Sequence, residues 1–410
     1  MSVLAKSWSA PSDARRLTYA AAAVFLASLA VLHWGFYQHN LILDTVEYHR
    51  YGTAMLHGQV PYRDFGVEYP PGALPVFAVP AIGHDGFSLY NREFQILMAL
   101  CGVGALLAMT LALRLLAASG QRLAAALAFT ALAPLVLGSV IVYRYDLWPA
   151  ALAVAGLAGV LAGRQRLGFA SLGLGIAAKL FPVVLLPPAL AYVWRTRGRR
   201  EALLCLGVAA AVVAVVILPF LALAPHGVWT SVERQATRPL QIESLASGVL
   251  LAAHQVGGLA ITMESSRGSQ NLTGSLPDAL GTASSALLVL ALLGIWAAAA
   301  RGPATSERLV RFSAASVVAF IALGKVLSPQ FLIWLIPLVP LVRGRRGLVA
   351  SALLGLALLL TQLWFPIRYW ELVAFEAVPS WLVLARDLVL LALLAVLLVP
   401  TGTEPAQPRS

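Results

Sequence analysis

The sequence predicts an all-α polytopic membrane protein, and three observations carry that prediction. Only 11% of the 410 residues are charged and 60% are hydrophobic, whereas an average soluble domain carries about 25% charged residues. Runs of about 20 apolar residues recur along the chain, each long enough to cross a bilayer core as a helix. Basic residues gather in the short loops between these runs, as topology signals do. A soluble enzyme, a disordered chain and a disulfide scaffold are excluded. The net charge of +11 sits in those loops and does not imply a nucleic-acid partner. Cys101 and Cys205 lie inside apolar runs, where packing is their expected role.

The elements follow in order. A first span is expected over 18–36, preceded by Lys6, Arg15 and Arg16, with no cleavable signal. A polar stretch occupies 37–71. Residues 72–82 are apolar but short and contain Pro75 and Pro80, which suits a re-entrant or interfacial piece. Spans are then expected over 93–117, 122–141 and 146–162. The run 167–194 is too long for one span, and Lys179 and Pro182 interrupt it, so it reads as two short helices meeting near Lys179. Further spans are expected over 202–223, 278–300, 308–325, 329–342, 347–365 and 380–399. The longest polar stretch, 224–277, encloses an apolar piece, 245–257, too short to cross. With both termini in the cytoplasm and about 12 crossings, the inner side receives 18 basic and four acidic residues, and the outer side 11 basic and 14 acidic. The whole reads as one transmembrane domain over 1–400. Its outer loop 37–71 would be catalytic and its outer loop 224–277 would serve the acceptor or donor side. A polar tail, 401–410, is expected to be disordered.

The acids mark the site. The first outer loop contains Asp44, Glu47, Tyr48, Tyr62, Asp64, Glu68 and Tyr69, within a stretch rich in Gly and Pro. Carboxylates accept bonds from sugar hydroxyls and aromatic rings stack on sugar C–H faces. An ordinary solvated loop is the plainer alternative. If 44–57 is helical, Asp44, Glu47, Tyr48 and Tyr51 share one face, and Asp44 sits at the membrane surface where a lipid-borne substrate arrives.

Asp44, the stretch Pro61-Tyr62-Arg63-Asp64-Phe65 and Glu68-Tyr69-Pro70-Pro71-Gly72 resemble glycosyltransferase family 87. Further matches are Ala178-Lys179-Leu180-Phe181-Pro182, the run Arg238–Leu245 and Lys325-Val326-Leu327-Ser328-Pro329-Gln330-Phe331. The resemblance implies the GT-C membrane fold, a polyprenyl-phosphate sugar donor, typically mannose, and a catalytic aspartate in the first outer loop, which falls here on Asp44. The expected partners are that donor, a glycolipid or cell-envelope glycan acceptor, and the lipid bilayer. The expected location is the extracytoplasmic side of a bacterial plasma membrane.

The chemistry suits these residues. A polyprenyl phosphate leaves without help from an acid, so inversion at the anomeric carbon needs one base, unlike the paired acids of glycosidases. Asp44 is the candidate base. The departing phosphate needs cations, and a cation in a membrane-embedded position is costly without a purpose. Lys179, Lys325 and Arg144 are the candidates, snorkelling being the alternative for the two lysines and a local pair with Asp146 for Arg144. Glu47, Tyr48, Tyr62, Asp64, Glu68, Tyr69, Asp146, Gln241, Glu243, His254 and Gln330 are candidates for sugar or acceptor binding; Glu243 and His254, 11 residues apart, would share a face of one helix. No cofactor and no metal are expected, since no acidic metal motif and no His ligand spacing appears. Gly173-Leu174-Gly175-Ile176-Ala177-Ala178 fits a dinucleotide pattern but lies in a membrane run, where small residues serve helix packing. A polyprenyl-phosphate-arabinose transferase is the alternative within the class. A lipid or oligosaccharide transporter or flippase is the alternative outside it, although no internal repeat supports one.

Overall fold

A computed structural model describes residues 11–399; the polar tail 401–410 and Lys6 lie outside the described residues. The polytopic helical class is the one observed. Helix α1 (Pro11–Val31) starts and ends earlier than expected, and Gly35, at a φ of 59°, turns the chain beyond its end. Helix α2 (Thr45–Leu56) begins directly after Asp44. The proline-containing piece is the five-residue helix α3 (Leu74–Ala78) between two 3-10 turns, too short to cross. Helices α4 (Phe87–Leu115), α5 (Gly120–Leu137) and α6 (Leu147–Leu161) follow.

The run 167–194 is broken as its lysine and proline imply. Helix α7 (Gln165–Ala178) stops at Lys179, whose backbone is extended (φ −160°, ψ 140°), and α8 (Leu186–Arg197) resumes after a 3-10 turn. Small residues let α7 approach α9 (Arg199–Leu223) closely. A Cβ on Gly173 would lie 2.7 Å from the Ala209 carbonyl oxygen, so the glycine pattern serves packing.

The stretch 224–277 holds more structure than its polarity suggests. It contains α10 (Pro225–Ala236), β1 (Leu240–Gln241), α11 (Leu245–Gly257), β2 (Thr262–Ser266) and β3 (Ser269–Thr273). The strands form a small antiparallel sheet in the order β1–β3–β2, with Leu272 opposite Leu240 on one side and Met263 on the other. The class is therefore helical with one sheet appended outside the spans.

Helices α12 (Ser275–Arg301) and α13 (Ser306–Ala322) follow. Residues 329–342 do not form the regular span expected. They form α14 (Leu332–Leu335) between 3-10 turns at Pro329–Phe331 and Val339–Leu341, because Pro337 and Pro340 lack the N–H that a continuing helix uses. Helices α15 (Gly344–Trp364), α16 (Tyr369–Val373) and α17 (Ala377–Leu398) complete the chain.

Among the described residues seven helices, α1, α4, α5, α9, α12, α15 and α17, are long and apolar enough to cross a membrane. The other five expected crossings are the shorter helices α6, α7, α8 and α13 and the broken piece 329–341. A 15-residue helix such as α6 is roughly 22 Å long, short of a hydrocarbon core about 30 Å thick. Helix α13 is buried from Leu309 to Ala322 except at Phe320, while the apolar spans α9 and α12 are mostly exposed on their outer faces. Interrupted backbone is tolerated at membrane depth only where protein or an aqueous cavity surrounds it. The interruptions at Lys179 and at 329–341 accordingly lie in the interior, and they frame the polar site.

Candidate active site

Asp44 is the residue before α2, and its side chain caps no backbone N–H. Its Oδ1 lies 2.6 Å from Nη1 of Arg144, which follows the 3-10 turn after α5. The Tyr48 hydroxyl donates to the other oxygen at 3.4 Å. The Arg144 side chain is 5% exposed and that of Asp44 30%, so the pair is covered on the cation's side and open on the carboxylate's. Loss of hydration raises the Asp44 carboxyl above its ordinary range, outweighing the attraction of Arg144 and Lys179.

Asp146 opens α6 two residues after Arg144 and does not pair with it. Its Oδ1 receives the Lys179 ammonium and the Trp334 indole N–H, each at 2.6 Å, and its Oδ2 is buried without a hydrogen-bond partner. The extended backbone at the α7 break delivers the Lys179 side chain inward, where its Nζ lies 4.6 Å from the Tyr145 ring centroid and near Phe331 and Trp334. Trp334 is held flat between Phe181 and Phe331, with ring centroids 4.1 and 4.3 Å away. Four charges thus alternate: Asp44, Arg144, Asp146 and Lys179. Tyr48, Tyr69, Phe77 and Tyr145 pack edge to face and stacked beneath them, with Tyr48 4.4 Å from Phe77.

Two clefts border this cluster. An apolar groove of about 800 Å³ runs between the 58–61 loop, the 71–78 segment and α9, with Trp148 at its edge. The Trp148 indole donates to the Gly72 carbonyl, and Gly72 packs so tightly on Ala177 and Ala178 that a Cβ would overlap their backbone. A cleft of about 480 Å³ with mixed lining lies between α1 and α4 and reaches Tyr143, next to Arg144.

Gln241 and Glu243 form a second, closed cluster. The Gln241 amide donates to Glu243 Oε2 at 2.7 Å and to Ser328 Oγ at 2.8 Å. Arg386 of α17 donates to the Glu243 carbonyl at 2.7 Å and pairs with Asp387 at 2.6 Å, both side chains fully buried. Burial pushes the Glu243 carboxyl up to about 8 despite Arg386 and Arg144 nearby. Glu243 precedes α11, so it does not share a helical face with His254. His254 closes the far end of that helix, its Nδ1 2.7 Å from the Leu259 carbonyl and its ring against Phe375.

The remaining candidates stand apart from the four charges. Glu47 pairs with Arg50 at the surface and accepts a hydrogen bond from Tyr51 on the same helix. Asp64 pairs with Arg63 and caps the Val60 N–H, which holds its carboxyl at about 2. Tyr62 bonds the Tyr69 carbonyl and packs on Phe220. Glu68 is half-buried beneath the β2–β3 turn, raised by burial above its ordinary range. The Lys325 ammonium donates to the Ala236 carbonyl at 3.2 Å, and Gln330 lies in the 3-10 turn before α14. Trp334, Tyr145, Ser328 and the Arg386–Asp387 pair were not singled out from the sequence. Two adjacent charges inside the apolar run 380–399 were the available signal for the last. Among the described residues no group of three or more His, Cys, Asp or Glu side chains converges as a metal site would.

Buried cations beside a part-exposed carboxylate, at the meeting of broken helices, form a polar cluster inside a membrane protein. The profile of glycosyltransferase family 87 matches residues 68–329. The chain belongs to that family, and its polytopic helical architecture is the GT-C arrangement the motifs implied. Among curated proteins, none matches the sequence. Among solved structures, the chain is similar to ArnT from Cupriavidus metallidurans bound to undecaprenyl phosphate. The identity is 16%, the TM-score 0.49, and 95% of this chain and 77% of that one are covered. The apo state of the same protein gives 16% identity and a TM-score of 0.47 over 93% and 75%.

Proposed function

We propose that the protein is an inverting glycosyltransferase that moves mannose from a polyprenyl phosphate to a lipid-linked or cell-envelope glycan acceptor, on the extracytoplasmic face of a bacterial plasma membrane. The observation that carries this reading is the unequal exposure of two neighbouring carboxylates. Asp146 is 1% exposed and holds two donors, whereas Asp44 is 30% exposed. Asp44 is the one an acceptor hydroxyl can reach.

In this reading the acceptor oxygen bonds to the anomeric carbon as its proton passes to Asp44. The bond from that carbon to the phosphate oxygen breaks on the opposite face, and the phosphate departs as an anion with both bonding electrons. Arg144 and Lys179 are the cations nearest to receive it, and fixed charges in a site of low dielectric stabilise such a leaving group strongly. Anion binding also draws Arg144 from Asp44, which strengthens the base. The unpartnered Oδ2 of Asp146 offers an acceptor to a sugar hydroxyl. The apolar groove beside Gly72 offers the isoprenoid chain a path to Lys179. A raised Asp44 carboxyl places the acid limb of kcat/KM above the ordinary aspartate range: activity falls as pH drops through that value, because the base is then protonated.

The test uses the purified protein in lipid nanodiscs with radiolabelled polyprenyl-phosphate-mannose and crude envelope glycolipids. Label is expected in a new glycolipid, with Asp44→Asn folded and reducing the rate about 10²–10⁴-fold. Near-normal turnover by Asp44→Asn would remove the base assignment. Transfer only from polyprenyl-phosphate-arabinose would change the sugar and keep the mechanism.

A further inference from the structure

The β2–β3 turn lies on the first outer loop: a Cβ on Gly268 would stand 2.8 Å from Glu68 Oε1. This contact brings three cations together. Arg238, between α10 and β1, donates from Nη2 to the carbonyl of Arg267 in the turn at 2.9 Å. Lys325, after α13, donates to the carbonyl of Ala236 at 3.2 Å, while its own carbonyl receives the Gln241 N–H at 3.0 Å. Arg267 repels the Lys325 ammonium and, after burial, is the next cause that lowers it from its ordinary range. Nε of Arg238 is buried without a hydrogen-bond partner. Among the described residues no carboxylate forms an ion pair with Arg238, Arg267 or Lys325. Glu68 feels both Arg238 and Asp44, so the cations lie beside the reaction site.

Like charges that converge from three chain segments, held by backbone carbonyls with the half-buried Glu68 as the nearby acid but no ion pair, are unfavourable until a further anion arrives. We propose that Arg238, Arg267 and Lys325 form a second anion site, which takes a phosphate-bearing headgroup of the acceptor beside Asp44. It is separate from the donor phosphate position at Arg144 and Lys179, to which no bond or ion pair joins Lys325. This deepens the transferase reading and rests on it for the word acceptor; the anion site itself stands on geometry. Phosphate is the chemistry it selects, because two guanidinium groups and an ammonium match a tetrahedral dianion better than neutral hydroxyls. Three segments that order together around one headgroup would also hold β1, and with it Gln241 and Glu243, in register with the reaction site.

The sequence makes the test clean, since Lys6, Lys179 and Lys325 are its only lysines. The full chain in phosphatidylcholine nanodiscs is treated briefly with an amine-acetylating reagent at constant ionic strength, and modification is read by peptide mass spectrometry. One arm adds inorganic pyrophosphate. The other replaces part of the lipid with phosphatidylglycerol. Lys325 acetylation is expected to slow about fourfold at a pyrophosphate concentration three times the dissociation constant, and R238Q/R267Q is expected to abolish that protection. Slow modification of the ion-paired Lys179 in the same variant shows that the interior is folded. Protection in either arm that the double variant loses supports the site, and the arm that protects tells a soluble phosphate from a bilayer headgroup. No protection in both arms, or protection that persists in R238Q/R267Q, overturns it. Labelling needs no sugar transfer, so failed transfer with protection intact would fall on the proposed reaction alone.

Discussion

The Arg144–Asp44 and Arg386–Asp387 pairs differ in how they are built. Arg144 and Asp44 are a hundred residues apart and meet across a loop junction, with the carboxylate 30% exposed. Arg386 and Asp387 are neighbours on one helix, both fully buried, and Arg386 spends a donor on the Glu243 carbonyl. A closed pair has no face for substrate. Its expected work is to tie α17 to the 240–244 segment, beside the packing of α11 on α17 near Asp387. The open pair recovers less from burial but leaves a carboxylate that a hydroxyl can approach. The same chemistry thus serves anchorage in one place and reaction in the other, and exposure of one oxygen separates the two.

The largest expected effect tests the closed pair. Arg386→Leu leaves Asp387 buried without its counter-charge, which costs about 3–5 kcal/mol. Thermal unfolding in detergent should show that loss, and Arg386→Leu combined with Asp387→Leu should regain most of it. A double variant as unstable as the single one would break the comparison. Asp44→Asn should do the reverse, with transfer lost and the fold retained.

A smaller effect is expected at the edge of the open cluster. Trp334→Phe keeps the stack on Phe181 and Phe331 but removes one donor from Asp146, and a hydrogen bond to a charged group contributes about 1.5–3 kcal/mol. Trp370→Phe, at an exposed position, should stay within about 0.5 kcal/mol in the same unfolding measurement.

Glu243→Gln tests the closed cluster through pH, because a carboxyl pushed up to about 8 keeps its proton in the fold at neutral pH, where the unfolded chain has released it. The folded protein keeps that proton up to about pH 8, while the unfolded chain releases it near 4.5. The stabilisation is complete below 4.5 and is lost as pH rises toward 8. Unfolding temperatures of Glu243→Gln should therefore decline less over that window than those of the unsubstituted protein. Parallel curves would mean that Glu243 is ionised in the fold.

Much of this site was legible in the sequence. Asp44, Arg144, Asp146 and Lys179 were all singled out, because ionisable groups next to apolar runs are costly and therefore conspicuous. Their pairing was not legible. Arg144 and Asp146 are two residues apart, which suggested a local pair, yet each takes a partner from another segment. Trp334 escaped notice because an aromatic in an apolar run carries no polar signal until an acceptor stands against its indole nitrogen. The β2–β3 hairpin escaped because polar strands of five residues without strong alternation resemble loop.

By itself the sequence determined the membrane class, the order of the helices, the break at Lys179, and the family. Those follow from local properties: hydropathy over about 20 residues, prolines without an N–H, and short motifs in fixed order. Only the tertiary structure decided which carboxylate is open, which cation it faces, and which charges merely hold helices together. Those are properties of distance and of water's access, and they arise when segments a hundred residues apart are packed against one another.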